Sequence, residues 1–292
     1  GLCMHMRRVK GILSQSNGMN LYRGCTHGCI YCDARSTCYQ MDHPFEDVEV
    51  KENAVELLED ALRRKRHRCM IGTGSMSDPY IPLEQQLCHM RRCLELIQRY
   101  GFGVTFQTKS PDFLRDIDLM EQINHVTKCV VQMTITTYDD ALCRILEPCV
   151  APTSARLAAL YACRKRGIPT VVWLTPLLPY INDTPENLRL ILRACRDAGV
   201  WGILSFGMGL TLREGNREYY YRKLNQHFPG LKEQYQRVYG NAYELPSPHA
   251  GDLYRIFWED CRRYGICTDQ QQIFAYLHAF EDKQAGVQLS LF

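Results

Sequence analysis

The sequence predicts an α/β fold: a partial TIM-type barrel, (β/α)6, with a mainly helical C-terminal extension. Three observations lead there. Short apolar runs alternate with amphipathic stretches between residues 19 and 209, the pattern of a parallel sheet covered by helices. About six strand–helix units are visible, fewer than the eight that close a full barrel, so a partial barrel or an open sheet is expected. Either form gathers functional groups at the C-terminal ends of its strands. After Gly209 the alternation stops, and residues 210–280 are rich in Tyr, Arg and Gln and read as helical.

In chain order, residues 1–18 read as an N-terminal arm and residues 19–209 as the barrel. Met19–Tyr22 supplies a first short strand. Further strands are expected at Cys69–Thr73, Gly103–Thr108, Cys129–Thr136, Thr170–Thr175 and Gly202–Phe206. Helices are expected at Ala54–Arg66, Leu83–Tyr100, Pro111–Ile123, Thr153–Arg166 and Pro185–Ala198. Asp183-Thr184-Pro185 is a cap followed by proline in the first turn, and Ala198-Gly199 is a stop. Residues 281–292 form a polar linker with a short apolar end.

The 292 residues, 46% hydrophobic and 23% charged, can bury a sizeable core and do not describe a disordered chain. No apolar run approaches the ~20 residues that span a bilayer, and Gly1–Lys10 lacks a signal-peptide core. A net charge of +3 neither requires nor excludes a nucleic-acid partner. The 15 cysteines are the outlier. An odd number in a long chain without an export signal argues against a disulfide scaffold and for reduced thiols in the cytoplasm, some of them binding metal.

Tyr22-Arg23-Gly24-Cys25-Thr26-His27-Gly28-Cys29-Ile30-Tyr31-Cys32 is the sharpest local signal. Such a loop turns three thiolates toward one point, and its glycines let the backbone approach an inorganic cluster closely. Three thiolates on a four-iron cluster leave one iron open to a small molecule. A zinc ion with His27 or Cys38 as fourth ligand competes with that reading, as do three buried free thiols. Downstream, Ile71–Tyr80 contains Gly74, Ser75, Ser77 and Asp78 at the end of a strand. These residues suit an ammonium group, or simply a strand-to-helix turn. Lys109 ends the next strand, where a cation meets a ligand carboxylate or only solvent. Gln132 and Thr134 lie on the following strand. Asn182 and Asp183 line the pocket or cap a helix, and capping is the expected role of Asp183. Arg and Tyr interleave over 213–223 and 234–243, which fits either base stacking or an amphipathic helix burying its tyrosines.

Cys-x3-Cys-x2-Cys with an aromatic residue before the last cysteine resembles the signature of the radical S-adenosylmethionine (SAM) enzymes. The resemblance implies a barrel of the radical SAM kind and a [4Fe–4S] cluster on Cys25, Cys29 and Cys32. SAM would sit on the fourth iron and be cleaved by one electron from a low-potential donor to a 5′-deoxyadenosyl radical. It places Tyr31 near the adenine, Gly74, Ser75, Ser77 and Asp78 near the SAM amino group, and Lys109, Gln132 and Thr134 in the same pocket. Within that superfamily, Ile12–Phe206 resembles the spore photoproduct lyase-like proteins, which implies DNA-lesion chemistry. The lyase's hydrogen-donating cysteine corresponds here to Ser75, whose O–H is a poorer donor. Cys69 is the alternative thiol, provided the loop folds back.

The end of the chain, Gln288-Leu289-Ser290-Leu291-Phe292, looks like a bacterial sliding-clamp-binding motif, though such ends also dock on their own chain. The expected function is therefore a radical SAM enzyme acting on DNA and tethered to the clamp. The alternatives are the same chemistry on a peptide or small molecule, and a non-catalytic iron–sulfur repair factor.

Overall fold

The computed structural model describes residues 4–36, 39, 41 and 44–285. Its elements in order begin with β1 (Met4–Arg7), β2 (Gly18–Met19), β3 (Tyr22–Arg23), β4 (Val48–Lys51), α1 (Ala54–Arg64) and β5 (Met70–Thr73). Next come α2 (Glu84–Leu87), α3 (His89–Tyr100), β6 (Gly103–Thr108), α4 (Ile117–Val126), β7 (Cys129–Thr134), α5 (Asp140–Leu146) and α6 (Thr153–Lys165). The rest are β8 (Thr170–Trp173), α7 (Pro185–Asp197), β9 (Gly202–Leu204), β10 (Gly209–Thr211), α8 (Asn216–His227), α9 (Leu231–Tyr239), β11 (Glu244–Pro246), α10 (Ala250–Tyr264) and α11 (Gln270–His278).

Six strands form one parallel sheet in the order β2-β5-β6-β7-β8-β9. Their order follows the sequence, as right-handed strand–helix crossovers dictate. The helices follow from apolar spacing. Met90, Cys93, Leu94 and Ile97 make the buried stripe of α3, and Leu188, Ile191, Leu192 and Cys195 that of α7. Every residue of β7 is buried, as expected for a central strand covered on both faces.

Four sequence expectations change. Met19–Tyr22 is not one strand: Gly18–Met19 edges the main sheet, while Tyr22–Arg23 turns away to pair antiparallel with β4. Residues 1–18 are more than an arm, because β1 pairs parallel with β4 and Asn53 bonds both Val9 N (2.9 Å) and Val9 O (2.8 Å). The helical extension also holds the β10–β11 pair, and Cys267 bridges to Gly202 on the edge strand. The cap of α7 is Thr184, whose side chain accepts from Asn187 N, whereas buried Asp183 accepts from Ser247 Oγ at 2.5 Å. Asn182 spends its side chain on Leu178 N, Thr136 O and Thr137 Oγ1, so it braces a loop rather than the pocket.

Candidate active site

The cysteine loop runs from β3 and lies over the C-terminal ends of the sheet. Neighbouring backbone holds it in place: Cys25 N donates to Phe45 O (3.3 Å), Ile30 N to Leu146 O (3.0 Å), and Cys149 N to His27 O (2.8 Å). Gly24 has φ +95°, and a Cβ there would run into the Phe45 carbonyl. Only glycine lets the loop pass this close. Cys25, Cys29 and Cys32 line one wall of a cavity of about 580 Å³, together with Tyr31, Gly74, Ser75 and Lys109.

Burial raises the Cys25 thiol to about 12, with the Asp78 charge next in effect, and raises Cys29 as well. Protons therefore stay on these sulfurs until a metal displaces them. The Lys109 ammonium faces this wall. Burial alone would lower its pKa, but the acidic groups around it, Cys29 and Glu147 foremost, outweigh that and raise it, so it stays cationic. Among the described residues no carboxylate lies within ion-pair distance of it.

The loop after β5 divides its labour. Ser77 Oγ donates to Gly24 O at 3.1 Å. Asp78 accepts from His27 Nε2 (2.9 Å), Thr108 Oγ1 (2.7 Å), Lys109 N (2.8 Å) and Tyr80 N (2.8 Å). Both side chains thus tie strand ends to the cysteine loop and are occupied in doing so. Ser75 is left exposed to the cavity. Gly74, at φ +99°, presses on the Gln107 carbonyl where no Cβ fits. Thr134 lines the cavity, but Gln132 is buried beneath it, donating to Thr105 Oγ1 (2.8 Å) and accepting from Trp173 Nε1 (2.8 Å). Its service is to set the indole of Trp173, a cavity residue.

Cys69 is not brought to this site. It immediately precedes β5, at the N-terminal end of the sheet, with its carbonyl accepting from Gly103 N (3.1 Å). A four-residue strand separates the two ends by roughly 13 Å, so folding back would require breaking the sheet. Cys38 and Gln288–Phe292 lie outside the described residues.

Sequence reasoning underrated Glu147. It is 1% exposed and follows α5. It accepts from Tyr31 Oη (2.7 Å) and from Arg156 Nη1 (3.1 Å), whose guanidinium also donates to Thr134 O (3.1 Å) and Ala151 O (3.0 Å). Burial works against the Glu147 carboxylate, but Arg156 and Lys109 prevail and hold its pKa below the usual range. A Glu-Pro pair after a short helix carries no such signal, because its guanidinium partner lies nine residues away.

Asp78 behaves alike: burial opposes its charge, while His27, Lys109 N and Thr108 together lower its pKa. Carboxyls depressed in the folded state contribute stability that is complete above the unfolded carboxylate range and is lost as pH falls through the folded value. Asp78→Asn is therefore expected to cost about 1–3 kcal/mol near neutrality and to flatten the acid limb of stability against pH. Urea titrations from neutral to acid pH measure this, and an unchanged acid limb would contradict the assignment.

The sequence profile of the Radical SAM superfamily matches residues 19–191. The chain belongs to the radical SAM superfamily. It is 31% identical over 234 residues to an uncharacterised protein of Mycobacterium tuberculosis, covering 78% of this chain and 68% of that one. Its fold is similar to that of a spore photoproduct lyase mutant, with a TM-score of 0.64 at 15% identity, covering 89% of this chain and 79% of that one. A second lyase mutant, solved with AdoMet and dinucleoside spore photoproduct bound, gives 0.60 at 14% identity, with coverages of 84% and 73%. At such identities the likeness is one of fold. Radical SAM proteins use a [4Fe–4S] cluster and SAM, which are therefore this enzyme's cofactors.

The residues present fit that pair. Three thiols line the same cavity. Yet among the described residues no three His, Cys, Asp or Glu groups stand close enough for a single metal ion. A lone zinc needs its donors within about 2.3 Å of one point, whereas a four-iron cluster accepts thiols set wider apart. Among the described residues no helix is long and apolar enough to cross a membrane.

Proposed function

We propose that this radical SAM enzyme acts on a damaged or modified base in DNA, with Cys25, Cys29 and Cys32 holding the cluster and Lys109 meeting the SAM carboxylate. The observation that carries the cofactor assignment is the Lys109 ammonium, lining one cavity with three thiols and, among the described residues, with no carboxylate at ion-pair distance. When bound, the cluster and SAM supply a 5′-deoxyadenosyl radical from reductive cleavage of the sulfonium. The chain's residues do the rest. Tyr31, anchored on Glu147, forms an aromatic wall 5.9 Å from Lys109 Nζ, measured to the ring centroid, suited to the adenine. Ser75 and the backbone beside Gly74 offer hydrogen bonds to the SAM amino group, since Asp78 and Ser77 are engaged elsewhere.

A DNA substrate is supported by the charge beside the mouth. Residues 213–237 carry six Lys and Arg against three Glu. Arg222 and Lys223 surround Tyr219, whose ring also stacks on Arg35, next to the cavity-lining Ala34. The Gln288–Phe292 motif adds a sliding-clamp tether, which would raise the effective concentration on DNA. Ser75 in place of a thiol leaves the returned hydrogen to another donor and separates this reaction from that of spore photoproduct lyase.

Reconstituted protein reduced with dithionite is expected to release 5′-deoxyadenosine from SAM. Lys109→Ala should weaken SAM binding roughly tenfold or more, through loss of a charged hydrogen bond. Deuterated, irradiated DNA should pass deuterium into the 5′-deoxyadenosine. No 5′-deoxyadenosine under any condition would end the enzymatic reading, and its formation without deuterium would end the DNA reading. A clamp pull-down unchanged by removing residues 288–292 would end the tether.

A further inference from the structure

Three of the tyrosines interleaved with arginine over 213–243 are core rather than stacking surface. Tyr220, Tyr221 and Tyr235 are buried, with Tyr220 Oη 2.8 Å from Tyr235 Oη and Tyr235 Oη donating to Pro179 O at 2.7 Å. Tyr243 remains 45% exposed beneath Arg213, and two more open rings come from outside this segment. Trp258 is 56% exposed and Phe206 48%.

These rings are connected. Trp173 and Phe206, both lining the cavity, have ring centroids 5.3 Å apart. Gly207 follows Phe206, and a Cβ on it would lie 3.6 Å from Tyr254 Oη, so α10 crosses directly beside this pair. Tyr254, also a cavity residue, stacks on Trp258 at 5.2 Å and 25°. One turn further, Arg262 is exposed, with no carboxylate partner among the described residues. Of the acids of this helix, Asp252 and Glu259 are within reach of Arg255, and Asp260 pairs with Arg263.

Tyr254, Trp258 and Arg262 thus form a row at i, i+4 and i+8, which extends the cavity outward by roughly 12 Å along α10. A substrate confined to the cavity would never touch its far end. An exposed indole stacked on a tyrosine and followed by an unpaired guanidinium is the chemistry that grips unpaired bases and their phosphates. In a duplex the π-faces are already stacked on each other. We propose that this row binds a single-stranded segment of nucleic acid flanking the reacting base, with unpaired bases on Trp258 and Tyr254 and a phosphate at Arg262. The inference rests on the nucleic-acid reading above and narrows it to substrate that is unpaired when bound.

The test measures binding rather than turnover. The full chain is titrated with a fluorescent single strand of about twelve nucleotides, judged long enough to span cavity and row, and with the blunt duplex of the same sequence. Anisotropy and intrinsic tryptophan quenching are read together. The single strand is expected to bind at least tenfold tighter than the duplex and to quench tryptophan. Trp258→Ala is expected to weaken it about 5- to 150-fold, the range set by the loss of one base stack. Trp258→Phe should retain most of the affinity and Arg262→Ala should lower the salt dependence. Because Trp258 is exposed, the circular dichroism of these variants should match that of the parent. A single strand bound equally by parent and Trp258→Ala would overturn the row and leave the nucleic-acid reading standing. Equal or tighter binding of the duplex would likewise overturn it. Binding of neither would remove the nucleic-acid reading itself, and the row with it.

Discussion

Replacing Cys25, Cys29 and Cys32 together with alanine is expected to abolish the brown iron–sulfur colour and to reduce bound iron and sulfide to background. The reason is chemical rather than architectural. The loop is placed by backbone hydrogen bonds to Phe45, Leu146 and Cys149, and by Ser77 and Asp78, none of which passes through a thiol. The sheet beneath should therefore survive, with unchanged far-ultraviolet circular dichroism. The cluster loses all its thiolate ligands on that wall. Each single substitution should already be severe, since two thiolates hold a four-iron cluster poorly. Anaerobic reconstitution followed by iron and sulfide analysis reads the result. Colour persisting in the triple variant would sink the ligand assignment, and colour lost together with the fold would make the loop a structural site instead.

Glu147→Ala should be the most destabilising single change near the site. The carboxylate and the Arg156 guanidinium are both fully buried, 3.1 Å apart. Removing one partner leaves the other charge uncompensated, at a cost of about 3–5 kcal/mol. For a chain of this size that corresponds to a fall in Tm on the order of 10 °C. Glu147→Gln keeps an acceptor for Tyr31 and Arg156 and should cost less. Replacing both Glu147 and Arg156 by leucine should recover part of the loss, because a buried pair is worth little more than a well-packed apolar one. The pair also supports function, since Tyr31 hangs from Glu147 and Leu146 O receives Ile30 N. Glu147→Ala should therefore loosen the cysteine loop, and SAM binding should weaken along with stability. A Tm within 2–3 °C of the parent, the scale of one ordinary kcal/mol, would refute the buried pair as a keystone.

Much of this was legible in the residues. Strands β5 to β9 of the sheet are bounded within a few residues of their apolar runs, and the Gly24–Cys32 spacing named the cofactors. What pattern reading missed has a common cause. β1, β3 and β4 are short and only partly apolar, so pairing with one another defines them rather than any periodicity of their own. The role of Glu147 escaped the sequence because the partners that make it important, Tyr31 and Arg156, come from a preceding loop and a following helix. Asp78 and Ser77 were expected to touch SAM because polar residues at strand ends commonly meet ligands. Only the fold showed their lone pairs and protons already taken by His27, Thr108 and Gly24. Of the tyrosines of 213–243, which carried a nucleic-acid pattern, Tyr220, Tyr221 and Tyr235 turned out to be core, while Tyr243 stays open and further open rings came from Phe206 and from Trp258 in α10.

The sequence by itself determined the fold class, the spacing of the candidate cluster cysteines and the superfamily, because strand–helix periodicity and residue spacing are local properties of a chain. Tertiary structure alone decided which polar groups remain free for a ligand, that Cys69 faces the wrong end of the sheet, and where aromatic surface is left uncovered. Those are questions of which distant residue satisfies which group, and no local pattern records a hydrogen bond made across the fold.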